Sequence, residues 1–258
     1  MARKWTKFPH AGKDYAYDAA ALKKSWARLH KGDCEPFPKD AGVLKAWQHY
    51  HAGEFGEAVE AGTGAGGAGI NAAVKAQVVY ASYLEKSDKA KAALLEEAAS
   101  LAEDRLAKAV KDPNAHYMYA FALGRYSQCI SVAKALTQGY GGKIKDALLA
   151  TLKLEPKHAD AHTAYGAYQA EVIDKVGGLV AGVTYGAKKD SAVEHYEKAL
   201  KLFPESPITH IEYSNGLIML FGKGKIAEAT KLYEKAAALT PADAMERLDV
   251  EHAKSELE

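Results

Sequence analysis

Residues 57–74 read EAVEAGTGAGGAGINAAV and hold two overlapping glycine triplets, Gly62-x-Gly64-x-x-Gly67 and Gly64-x-Gly66-x-x-Gly69. That spacing is the one by which a tight turn brings backbone N–H groups and a helix N-terminus up to a pyrophosphate. The chemistry also needs a strand before the triplet and an acid about 20 residues beyond it. Upstream stands EFGEAVEA, which has no β-branched run, and the acid at the right distance, Glu85, is one of 33 acidic residues. No nucleotide or other cofactor is therefore expected. Each glycine in a helix costs about 0.5–1 kcal/mol relative to alanine, so the five between 62 and 69 predict a break there, an exposed inter-helix loop.

A second candidate is His158 with His162, four apart at a helix start, which puts two imidazoles on one face as zinc requires. Asp160 between them points elsewhere, no H-E-x-x-H occurs, and the pair reads as packed or surface histidines, with no metal expected. The two cysteines make no C-x-x-C, which suits a reducing compartment. Cys34, in the polar loop KGDCEPFP, reads as an ordinary exposed thiol; Cys129, in YSQCISVA, reads as a small core residue. No nucleophile, base and orienting group are nominated together, so the expectation is a protein without catalytic activity.

The elements that position these residues are helical. Apolar side chains recur at steps of three and four, as in Tyr15, Ala19, Leu22, Trp26, Leu29 and again in Leu95, Ala98, Ala102, Leu106, Ala109. The chain of 258 residues carries 34 basic and 33 acidic groups, which leaves no nucleic-acid signature. Up to Lys31 there are eight Lys/Arg against two Asp (+6), and from Ala242 six acids against two bases (−4), an asymmetry read as solvated helix faces. No apolar run is long enough to span a bilayer, and the basic start lacks an apolar h-region, from which a cytoplasmic location is expected.

Two markers repeat. Prolines 113, 156 and 204 are 43 and 48 residues apart, and the large-then-small pairs Leu123-Gly124, Tyr165-Gly166 and Tyr213-Ser214 have small residues 42 and 48 apart. Residues 159–204 carry His162, Tyr165 and Gly166 on one helix and, after an insertion, Ala192, Tyr196, Ala199 and Pro204. Residues 207–241 repeat this through His210, Tyr213, Ser214, Ala229, Tyr233, Ala236 and Pro241, while the unit at 117–156 is degenerate, with Thr151 for alanine. This pattern resembles the tetratricopeptide repeat (TPR), and Gly53, Phe55 and Ala58 resemble its inter-helix turn. The resemblance covers roughly residues 41–241. It extends to bacterial TPR-like proteins of unassigned role and, more distantly, to the T component of some transporter systems and to regulators of microtubule dynamics.

The resemblance implies an all-α fold, a right-handed array of about four TPR-like hairpins with inter-helix insertions. Residues 1–40 form an N-terminal helical extension and 41–258 the repeat domain, capped by a helix with Thr240 as N-cap, Pro241 in its first turn and Asp243 three residues on. It further implies a concave groove that binds a peptide or protein segment through Met118, Phe121, Arg125, Gln128, Asp160, Thr163, Glu171, Ile208, Ile211, Glu212, Asn215 and Ile218. Within it Arg125 is expected either to pair with Glu171 or Glu212 and lock neighbouring hairpins, or to grip a ligand's polar end.

The insertion VIDKVGGLVAGVTYGAKK is apolar where a surface loop is usually polar. Leaving Val176, Leu179, Val180, Val183 and Tyr185 in water forgoes about 1.5 kcal/mol or more each. They are expected to pack on the array as a lid. The alternative function is a carrier or sensor of a small apolar ligand enclosed by residues 172–186.

Overall fold

The computed structural model describes residues 3–10 and 15–258, and among these every regular element is helical. In chain order they are α1 (Ala19–Leu29), α2 (Ala41–Ala52), α3 (Phe55–Ala65), α4 (Gly69–Tyr83), α5 (Asp88–Lys108), α6 (Pro113–Gln128), α7 (Val132–Thr137) and α8 (Tyr140–Leu154). There follow α9 (Ala159–Val176), α10 (Gly178–Val180) running into a π-helical turn (Ala181–Tyr185), α11 (Lys189–Leu202), α12 (Pro207–Phe221), a 3-10 turn (Gly222–Lys225), α13 (Ile226–Ala238) and α14 (Ala244–Ser255). The helices pair as antiparallel hairpins, α2–α3, α4–α5, α6–α8, α9–α11 and α12–α13. The pair α4–α5 is the one that proline spacing does not mark, since no proline occurs between Pro38 and Pro113.

Starts and stops follow local chemistry. Asp40, Ser87, Asp112 and Ser206 accept backbone N–H bonds at their helix N-termini, and Pro113 and Pro207 sit in the first turn, where no donor is lost. Small residues let a ring fill the crossing of two helices: within its hairpin a Cβ on Gly166 would lie 3.0 Å from the Tyr196 ring, and one on Gly216 of the next hairpin only 2.7 Å from it. Tyr196 is 1 % exposed as a result. In the degenerate unit Thr151 is fully buried and donates from Oγ1 to the Ala147 carbonyl, 3.0 Å.

The glycine run is not the loop expected over 62–69. Helix α3 continues through Gly62 and Gly64 to Ala65, and only residues 66–68 leave the helices, with Gly66 (φ 63°) and Gly67 (φ 51°) making the left-handed turn. A Cβ on Gly62 would meet the Gly69 carbonyl oxygen at 2.5 Å, and one on Gly69 would meet that of Gly62 at 2.7 Å. These two glycines are buried because α3 and α4 cross backbone to backbone, which offsets their helix penalty.

The array closes on itself. Helix α14 packs on α12, α13 and α2. Arg28 grips Glu246 with both guanidinium nitrogens (2.6 and 3.1 Å), His51 Nδ1 lies 2.7 Å from Asp243 Oδ2, Tyr17 donates to the Ala242 carbonyl, and Tyr83 to Asp249. The basic front and acidic back, expected as solvated faces, are thus partly paired with each other. The N-cap of α14 is Asp243, accepting from Glu246 N at 2.8 Å, three residues later than the expected Thr240. Ala242 and Asp243 are instead held by Tyr17 and by His51 of α2.

Both cysteine readings change. Cys34 is half-buried at φ 52°, its thiol donating to the Lys157 carbonyl (3.6 Å), and burial pushes that thiol up to about 12. Cys129 is exposed at the C-terminal end of α6 rather than packed in the core.

Candidate binding cleft

Closure of the array leaves an open cleft along the inner faces of α4, α6, α9, α12 and α14, whose void counted out to solvent is about 1860 Å³. Its walls alternate between apolar and ionised groups. Phe121, Ala164, Ala167, Val172, Ile208 and Met245 supply apolar surface, and Tyr168 lies buried with no hydrogen-bond partner for its hydroxyl among the described residues.

Across the middle runs a polar chain that joins three hairpins. Arg125 Nη2 on α6 lies 2.6 Å from Glu212 Oε1 on α12, and Arg125 Nη1 donates to Gln128 Oε1 at 3.3 Å. Gln128 in turn donates to Glu171 on α9. The Arg125 and Glu212 side chains are 29 % and 17 % exposed, so water reaches them without dissolving the pair. Burial opposes the charge on Arg125, yet Glu212 beside it raises the guanidinium above its usual value. Burial pushes the Glu171 carboxyl up, with Glu212 adding to the shift.

One end of the cleft has a second ionic group. Lys75 Nζ sits 2.6 Å from Asp33 and 3.7 Å from Asp160. Burial opposes the charge on Asp33, but Lys75 and His30 hold its carboxyl well below the usual range; Asp160 is pushed up to about 6 by burial despite Lys75. His30 donates to Asp33 across 2.9 Å, and burial lowers its imidazole to about 4. On α14, Asp249 receives the Tyr83 hydroxyl, and burial raises its carboxyl well above the ordinary value.

Of the residues expected in the groove, Phe121, Arg125, Gln128, Asp160, Thr163, Glu171, Ile208 and Glu212 line this cleft. Four do not. Met118 is 1 % exposed in the core, and Ile211 packs with Ala236 and Ala253 because α14 covers that part of α12. Asn215 accepts the Tyr233 hydroxyl at 2.9 Å, and Ile218 lies exposed off the cleft. Lys75, Tyr83 and Asp249, which also line the cleft, and Asp33, buried behind Lys75, were not anticipated. For Lys75 the signal was present, a lone charge in the apolar stretch INAAVKAQVVYASY; Asp33 and Asp249 sit in ordinary polar contexts.

The insertion divides. Val176 and Tyr185 line the cleft, and Tyr185 rests its ring on Gly141, where a Cβ would come within 2.8 Å. Leu179, Val180 and Val183 face solvent, against the expectation that they pack as a lid. Only Ala181 anchors the turn in the core, and so short a turn cannot bring both faces inward. The histidines are engaged separately. His158 caps α9, accepting from Ala161 N at 3.0 Å and donating to Asn114 Oδ1 at 2.9 Å; His162 lies 2.8 Å from His195 Nδ1. No group of three or more His, Cys, Asp or Glu able to hold a metal occurs among the described residues.

The family model described as Regulator of microtubule dynamics protein 1-3 matches residues 72–258. No curated protein matches the chain. The crystal structure of a thermophilic TPR protein in Thermus thermophilus is similar, with a TM-score of 0.57 and 15 % identity over 83 % of this chain and 97 % of that one. At that identity the likeness establishes the TPR-like fold alone.

Proposed function

The chain belongs to the regulator of microtubule dynamics family, and from that premise we propose that it is a non-enzymatic interaction module whose cleft holds an extended peptide or protein segment. The observation that carries this reading is the Glu212–Arg125–Gln128–Glu171 chain set within apolar walls. A polypeptide presents alternating amide, charged and apolar groups, and such a surface offers a counterpart for each. A wholly apolar ligand would leave those charges desolvated without return. The exposed positions of Leu179, Val180 and Val183 also leave the apolar-carrier alternative with Val172, Val176 and Tyr185 as the apolar groups that the insertion turns to the cleft.

The test is a selection of random displayed peptides on the full chain, followed by affinity measurement on two cleft variants. Ala167→Trp fills the apolar wall, and Arg125→Glu inverts the central charge. Selected peptides are expected to bind Ala167→Trp at least about tenfold more weakly, about 1.4 kcal/mol, while its melting temperature holds. Peptides that bind both variants as well as they bind the wild type would refute the proposal.

A further inference from the structure

In the last three hairpins the turns joining first to second helix lie along one edge of the array. Contacts between neighbours establish this: Tyr185 of the second turn packs on Gly141 beside the first, and Lys189 beyond the second donates to the Leu220 carbonyl before the third. Along this edge Leu136, Leu179, Val180, Val183, Phe221 and Ile226 are exposed. Leu179 and Val183 are 83 % and 82 % exposed, the extreme for large aliphatic side chains here. Glycines 177, 178, 182 and 186 shape a narrow turn that carries them outward on a foot of buried Ala181.

Lysines border these aliphatics. Residues 131–139, 174–190 and 219–228 hold Lys134, Lys175, Lys188, Lys189, Lys223 and Lys225 against Asp174, Asp190 and Glu228, six against three, or +3 on a chain of net +1. The combination discriminates between partners. Cores of protein interfaces are depleted in lysine and draw their energy from Trp, Tyr and Arg, whereas short aliphatic tips fringed by lysine match the boundary of an anionic bilayer. No helix among the described residues is long and apolar enough to cross a membrane, so contact of this kind is peripheral.

We propose that this edge docks on an anionic lipid surface, with Leu179, Val180 and Val183 seated among the headgroups and the lysines on the phosphates. Leu136 and Lys175 belong also to the wall of the cleft, whereas Leu179, Val180 and Val183 lie off it.

Flotation of the full chain with phosphatidylcholine vesicles, with and without phosphatidylglycerol, tests the assignment. The wild type is expected to float with the anionic vesicles, less so at high salt. The double variants Leu179→Ser/Val183→Ser and Lys188→Glu/Lys223→Glu are expected to lower partitioning at least about tenfold with unchanged melting, because all four side chains are exposed. Ala167→Trp is expected to float like the wild type; its loss alone would put lipid in the cleft and overturn the edge assignment. A wild type that ignores anionic vesicles, or floats equally well without its aliphatic tips, overturns the proposal. So does a chain whose tips mediate self-association while vesicles are ignored.

Discussion

Replacing Arg125 by alanine tests whether the central ion pair holds the array together. Its partner Glu212 lies 87 positions further along the chain, so the bond joins α6 to α12 directly. Exposed pairs contribute about 0–1 kcal/mol, and removing one member of a fully buried pair costs about 3–5. With the two side chains 29 % and 17 % exposed, the loss falls between these limits. We take about 2 kcal/mol, which for a chain of this size lowers the melting temperature by roughly 4–8 °C. The pH dependence has a definite sign. Arg125 normally lowers the Glu171 carboxyl, so its removal raises that carboxyl further above its ordinary value. A raised carboxyl stabilises the fold fully below its unfolded value and loses that contribution as pH rises. The deficit of Arg125→Ala is therefore larger at pH 8 than at pH 5. Thermal melts at both values by circular dichroism decide the matter. Unchanged melting, or a deficit larger at pH 5, would refute the reasoning that the pair is partly buried and structural.

Three further substitutions probe the glycine crossing and a buried acid. Gly62→Ala drives a Cβ to 2.5 Å from a backbone oxygen and is expected to destabilise by about 1–3 kcal/mol. Gly64→Ala, exposed in the same helix with nothing within 4 Å, is expected to stabilise by about 0.5–1 kcal/mol. Urea denaturation of the two compares a helix crossing with an exposed position of the same helix, and equal effects would show that α3 and α4 do not meet there. Glu35 is 5 % exposed, and burial, then Asp33 and Asp112, push its carboxyl up to about 8. Being raised, it loses stability as pH climbs from about 4.5 to 8, at no more than about 1.4 kcal/mol per unit, and Glu35→Gln is expected to flatten that slope in denaturation midpoints across the range.

The helical class, the last three hairpins and the packing of Tyr196 on Gly166 were legible in the sequence. They rest on contacts within one hairpin, where a fixed helical period converts spacing directly into proximity. The same period put Arg125 and Glu171 on the inner face and left Glu212 one position off it, near enough for Arg125 to reach. It failed for Met118, Ile211 and Asn215. Helix α14 folds across the end of α12, so Ile211 became interior, and no spacing within a repeat records that event. The glycine run was read as a loop because the helix penalty is a local quantity; the close crossing of α3 and α4 that offsets it appears only when both backbones are in place. Lys75 meets Asp33 and Asp160, and Tyr83 meets Asp249, across separations from 42 to 166 residues. Those pairings join segments that share no hairpin, and the last of them needs α14 in place against α4. Helical spacing reports what lies within one turn or one hairpin, and only the assembled array decides which remote charges share a cleft.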